Sequence, residues 1–136
     1  TREEVGGQGA VTGAYGADPS QAIAVDVGFA AQPGVEPEKC GKLGGGPMIG
    51  YAPVLNRGIS EKLVLLAEKS KMPYKRDVMG EDTGTNSDDI AATRSGVPTG
   101  LVSIPLRYMH TPAEVVDLQD VENTARLLAA YIREAE

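Results

Sequence analysis

A chain of 136 residues is the size of one ordinary domain, and 41% hydrophobic with 24% charged residues is a globular balance. A formal charge of -6, an aromatic share of 4% and no Trp exclude an electrostatic or base-stacking grip on nucleic acid. The single cysteine, Cys40, can form neither an internal disulfide nor a cysteine zinc cluster, no apolar run reaches membrane-span length and no signal-like segment opens the chain, so a cytoplasmic protein with no membrane partner is expected. Residues 1–7, Thr-Arg-Glu-Glu-Val-Gly-Gly, run from a strand-like stretch into a Gly-rich turn, and 9–15 form a short Ala-rich helix. Residues 22–29 are an apolar run broken by one acid, which reads as a buried parallel strand. With five glycines and three prolines, 30–47 read as a long loop, and 48–55 as a weaker strand.

A helix is expected over 61–71, capped by Ser60, with an Ile59–Val64 staple and Met72-Pro73 as its stop. Residues 74–79 read as a strand and 80–86 as a loop. A short helix starts near Ser87 and ends at Gly96. A strand over 100–104 ends at Pro105. The last helix runs from Leu118 to the end of the chain, with Asp117 as N-cap and Val121, Ala125, Leu128 and Ile132 on one face. Strands alternating with helices imply one layered α/β domain over 1–136, with a mostly parallel sheet.

Few residues invite chemistry. Glu3 and Glu4 are adjacent acids at the end of a short strand beside glycines, where one carboxylate could bind a cation while the other stays free as a base. A solvated acidic pair is the plainer reading. Asp26 is a carboxylate inside an apolar strand, costly unless paired or bound to metal, and it lies near the strand end where open parallel sheets bind ligands. The other reading is a strand-end loop cap. His110 is the only histidine; imidazole is a common zinc ligand, though a lone His is more often structural or merely exposed. Gly34 to Lys42 fails as a phosphate loop, and Gly7, Gly9 and Gly13 miss the dinucleotide spacing by one. Nothing in the spacing supports a Cys40–His110 dyad.

The order and wording of the segments carry more than any one of them. Glu-Glu-Val-Gly at 3–6 is followed by Ala-Ile-Ala-Val-Asp-Val at 22–27 and Lys-Leu-Gly-Gly-Gly-Pro at 42–47. Gly-Thr-Asn-Ser-Asp at 84–88 follows, then Ser-Gly-Val-Pro-Thr at 95–99 and Ser-Ile-Pro-Leu-Arg-Tyr-Met-His-Thr-Pro at 103–112. This text resembles the glutamyl-aminopeptidase family of cocatalytic metallopeptidases, which includes tetrahedral, self-compartmentalised aminopeptidases and members labelled cellulase or endoglucanase. The resemblance spans essentially the whole chain.

It implies a three-layer αβα sandwich, of which this chain is the C-terminal part of the catalytic domain, and hydrolysis of N-terminal residues from peptides. It places Glu3 at the general base and Glu4, Asp26 and His110 at metal ligands. It also puts Gly44, Gly45, Gly46, Gly84 and Thr85 in the walls of the substrate cleft. Two divalent ions are implied, zinc or cobalt first and manganese as a further candidate, together with homo-oligomeric assembly. Many relatives have Asp where Asn86 stands. The family's His-x-Asp histidine and its metal-bridging Asp are expected before Thr1, in the missing N-terminal portion of the same protein, so the chain alone is expected to be inactive. A different reading is a non-catalytic fragment or degenerate homologue with a role in assembly. The glycoside hydrolase label finds little support in a chain with a single Phe and no Trp.

Overall fold

In the computed structural model residues 2–134 are described; Thr1, Ala135 and Glu136 lie outside the described residues. Strand β1 (Ala22–Phe29) is the apolar run with its single acid. It pairs in parallel with β4 (Thr99–Arg107), with Asp26 opposite Ser103. β2 (Met48–Tyr51) runs parallel to β3 (Lys75–Val78) and antiparallel to β4. A two-residue strand, β5 (Val115–Val116), pairs antiparallel with the end of β4, giving the order β1-β4-β2-β3 with β5 beside β4. The sheet is mixed, its longer ladders are parallel, and helices flank it, as the sequence pattern implied.

One face carries the larger core. Ile49 and Val102 pack against Ile59, Leu63, Val64, Leu66 and Ala67 of α2 (Arg57–Lys69) and against Leu127 and Tyr131 of α4 (Leu118–Arg133). Each fully buried aliphatic side chain there contributes roughly 1.5–3 kcal/mol. The other face has a smaller cluster of Ala24, Leu55 and Leu101, with α3 (Asn86–Ala91) over β1 and β4, and α1 (Gln8–Ala17) against α3. Because side chains alternate along a strand, Asp26, Gly28, Leu101 and Ser103 share this thinner face.

Four expectations are corrected. Glu3 and Glu4 stand in a single 3-10 turn, Glu3–Val5, and not at a strand end. Gly6 and Gly7, at φ 122 and 63, turn the chain back so that Gly7 N–H reaches the Arg2 carbonyl. Helix α2 starts a turn earlier than expected: Asn56 is its N-cap, accepting from Ile59 N–H at 3.1 Å, while Ser60 Oγ donates to the Gly50 carbonyl at 2.7 Å and ties α2 to β2. Asn56→Ala is expected to cost about 1 kcal/mol in chemical denaturation, with Ser60→Ala acting separately through the β2 contact. Strand β4 continues through Pro105. Ala30 N–H donates to the Leu106 carbonyl, so Leu106 faces β1 and Pro105 faces the opposite side, where β2 has stopped pairing at Ser103. A proline therefore forfeits no ladder bond there. Lastly, α3 ends at Ala91 and not at Gly96. The predicted extension of the last helix over Ala135 and Glu136 falls outside the described residues.

Candidate active site

A cleft of about 720 Å³ opens on the thinner face of the sheet. Glu3, Glu4, Asp26 and His110 all line it, although they come from the first turn, β1 and the loop after β4. Three local features aim them there. The glycine pair after Val5 turns the Glu3–Glu4 step toward the cleft. Alternation along β1 points Asp26 to the face of Ser103. His110 adopts a left-handed conformation, φ 62, in the turn beyond β4, and its N–H donates to Glu114 Oε1 at 2.7 Å.

Within the cleft His110 Nε2 lies 3.7 Å from Glu4 Oε1. Their side chains are 70% and 73% exposed, so as an ion pair the contact contributes little stability. Asp26 Oδ1 accepts the Val27 N–H at 2.8 Å. Burial first, then the nearby Asp26 and Glu4 carboxylates, hold the Glu3 carboxyl above its ordinary value, with His110 opposing the shift. Glu3 is thus a stronger base than a solvated glutamate.

Carboxylate oxygens and one imidazole nitrogen are the right donor types for zinc, cobalt or manganese. Two donors bound at zinc distances in a tetrahedron lie roughly 3.4 Å apart, close to the Glu4–His110 spacing. Among the described residues, however, no three His, Cys, Asp or Glu side chains are grouped closely enough to hold an ion. The residues present fit part of a metal centre.

Gly84 and Thr85 line the cleft. Their loop is firmly held: Asp88 accepts the N–H groups of Thr83 and Gly84, and the Thr83, Thr85 and Ser87 hydroxyls bond one another. Asn86 keeps its side-chain oxygen buried without a hydrogen-bond partner among the described residues. Gly44, Gly45 and Gly46 are not among the lining residues. Their loop is clasped by Asp120 of α4, whose carboxylate accepts Gly44 N–H and Gly46 N–H at 2.8 Å each. The glycines serve backbone geometry there. Gly46 has φ 82, and a Cβ on it would sit 1.8 Å from the Pro73 carbonyl oxygen. Cys40 is buried with Sγ 3.4 Å from the Pro37 carbonyl and takes no part in the cleft.

One cleft residue did not stand out in the sequence. Asp77 of β3 is half-buried and lines the cleft across the sheet from Asp26. Burial lifts its pKa above the ordinary 3.8, with Lys75 opposing. A carboxyl whose folded value is raised costs stability once it ionises; that cost is present above the folded pKa and fades as pH falls toward 3.8. Asp77→Asn is therefore expected to melt at a higher temperature than the native protein at neutral pH, and the gap should close in acid. Equal melting curves at neutral pH would contradict this.

The comparisons with known proteins follow this geometry. The M42 glutamyl aminopeptidase family model matches residues 1–127. The chain belongs to that family. A curated relative, the lysyl aminopeptidase of Pyrococcus furiosus, is 35% identical over 133 residues, covering 98% of this chain and 38% of the relative. A solved aminopeptidase from the archaeon Desulfurococcus kamchatkensis superposes with a TM-score of 0.88 at 42% identity, covering 97% of this chain and 39% of that one. The TET1 peptidase of Pyrococcus horikoshii, which can assemble into a tetrahedron or a large octahedral shell, matches with a TM-score of 0.75 at 28% identity, over 96% of this chain and 38% of that one. The chain thus spans under two fifths of the length of the curated relative. Among the described residues no helix is long and apolar enough to cross a membrane.

Proposed function

We propose that this M42 chain is the C-terminal part of the catalytic domain of a metal-dependent aminopeptidase that removes N-terminal residues from peptides. The observation that carries the reading is the meeting of Glu3, Glu4, Asp26 and His110 in one cleft from three distant parts of the chain. Glu4 and His110, 3.7 Å apart, would hold one divalent ion and Asp26 the other, with the remaining donors supplied by the rest of the same protein. Bound zinc or cobalt, or manganese, would supply charge that polarises the scissile carbonyl and makes water acidic enough to attack. Glu3 takes the proton from the attacking water and delivers it to the departing amine. Gly84 and Thr85 wall the substrate side of the cleft.

The outer edge of β1 has no partner strand among the described residues, and Val25 and Phe29 are about half exposed on it. The remaining portion of the protein would cover this edge. Assembly of several copies is supported by the shells formed by the Pyrococcus horikoshii relative.

The test is hydrolysis of short peptides by the full-length protein. N-terminal residues are expected to be released, release to stop on chelation, and zinc or cobalt to restore it. This chain alone is expected to be inactive. Chelator-insensitive hydrolysis would overturn the metal dependence, and absent hydrolysis by the intact protein would sink the proposal in favour of a non-catalytic assembly role.

A further inference from the structure

We propose that Asp77 selects substrates whose N-terminal residue is basic, Lys or Arg. The proposal rests on the aminopeptidase reading and goes beyond it to the substrate class. It starts from sheet register. Asp26, Ser103, Met48 and Lys75 form one row across β1, β4, β2 and β3. Asp77 lies two residues further along β3, in the row of Gly50 on β2. Three strand spacings and one two-residue step put the Cα atoms of Asp26 and Asp77 about 15 Å apart across the cleft floor. That gap seats a whole side chain between the hydrolytic end and Asp77.

The floor and the far end differ in character. Leu101 on β4 and Met79, two residues past Asp77, are apolar residues lining the cleft, and Asp77 is the carboxylate that β3 contributes to it. An apolar wall ending in an anion complements a side chain made of a methylene stem and a cationic head. No hydrogen bond or ion pair to Asp77 is present among the described residues. The neighbouring ammonium of Lys75 is committed elsewhere, donating to the carbonyls of Glu38 and Cys40 at 2.7 Å each. Lys39, also on the cleft, pairs with Glu36 at 2.8 Å. A half-buried carboxylate without a partner is a cost that a cationic ligand removes. An acidic side chain would meet Asp77 and, on the same cleft, Glu81 and Asp82, and be repelled.

The test uses the full-length protein loaded with zinc or cobalt and aminoacyl nitroanilides of Lys, Arg, Leu and Glu. Lys and Arg substrates are expected to have the highest kcat/KM. Asp77→Asn and Asp77→Ser should each lower those two by about 30-fold or more, leaving Leu within about threefold. A second readout needs no variant: lysine amide should inhibit cleavage of the Leu substrate by the native protein better than leucine amide does. A native preference for Leu or Glu, an equal loss for all four substrates in correctly folded variants, or equal inhibition by the two amides would overturn the assignment of Asp77 while leaving the aminopeptidase reading intact. No cleavage of any substrate by the metal-loaded native protein would overturn both.

Discussion

Replacing Glu3 with Gln in the full-length protein is expected to lower kcat by about 10²- to 10⁴-fold, the usual worth of a positioned general base. The amide keeps the shape of the side chain and loses only its basicity. Because the proposed donors are Glu4, Asp26 and His110, bound metal should be unchanged and KM should move little. Glu4→Gln is expected to behave differently, losing metal along with activity. Kinetics paired with metal analysis of both variants separates the roles of two neighbouring residues. If Glu3→Gln loses metal and Glu4→Gln keeps it, the assignments must be exchanged. If Glu3→Gln keeps full activity, Glu3 is not the base.

The largest stability effect is expected at Asp120. This carboxylate is fully buried at the start of α4, where the helix dipole favours negative charge, and it accepts two backbone N–H groups from the glycine loop. Asp120→Ala would leave both N–H groups without an acceptor and open a small cavity. Charge-assisted bonds and stranded donors together suggest a cost of about 3–5 kcal/mol. Asp120→Asn keeps one acceptor but turns an NH₂ group toward a donor, so it should fall between native and Ala. Denaturant midpoints measure the loss, and amide exchange at Gly44 and Gly46 localises it. A cost below about 1 kcal/mol for Asp120→Ala would show that the clasp does not hold the loop.

Much of the fold was legible in the sequence, for physical reasons that differ from element to element. β1 announces itself because it is a short run with apolar residues on both faces, and α4 because its apolar residues recur at helical spacing with a capping Asp117 in front. Boundaries were misread where a residue had two uses. Ser60 looks like a cap, yet its hydroxyl goes to the Gly50 carbonyl and Asn56 caps the helix. Pro105 looks like a strand end, yet it faces the side where pairing has already stopped.

The site was legible in part. Glu3, Glu4, Asp26 and His110 were singled out as candidates through the order of their motifs, and they line one cleft. The resemblance put the three glycines at 44–46 in the wall of the substrate cleft. Their partner is instead Asp120, far along the chain and in the sequence merely an acid in the first turn of a helix. Asp77 was hidden in Lys-Arg-Asp-Val, which reads as an ordinary polar edge strand. Alternation alone could have shown that Lys75 and Asp77 share a face, but not that this face borders the cleft.

The most direct test of the central claim is anomalous X-ray scattering at the zinc and cobalt edges from crystals of the full-length protein grown with each metal. Metal peaks are expected within about 2.5 Å of donor atoms of Glu4, Asp26 and His110, with Glu3 beside but not bound to them. Peaks that avoid these side chains, or none in a protein that still hydrolyses peptides, would contradict it.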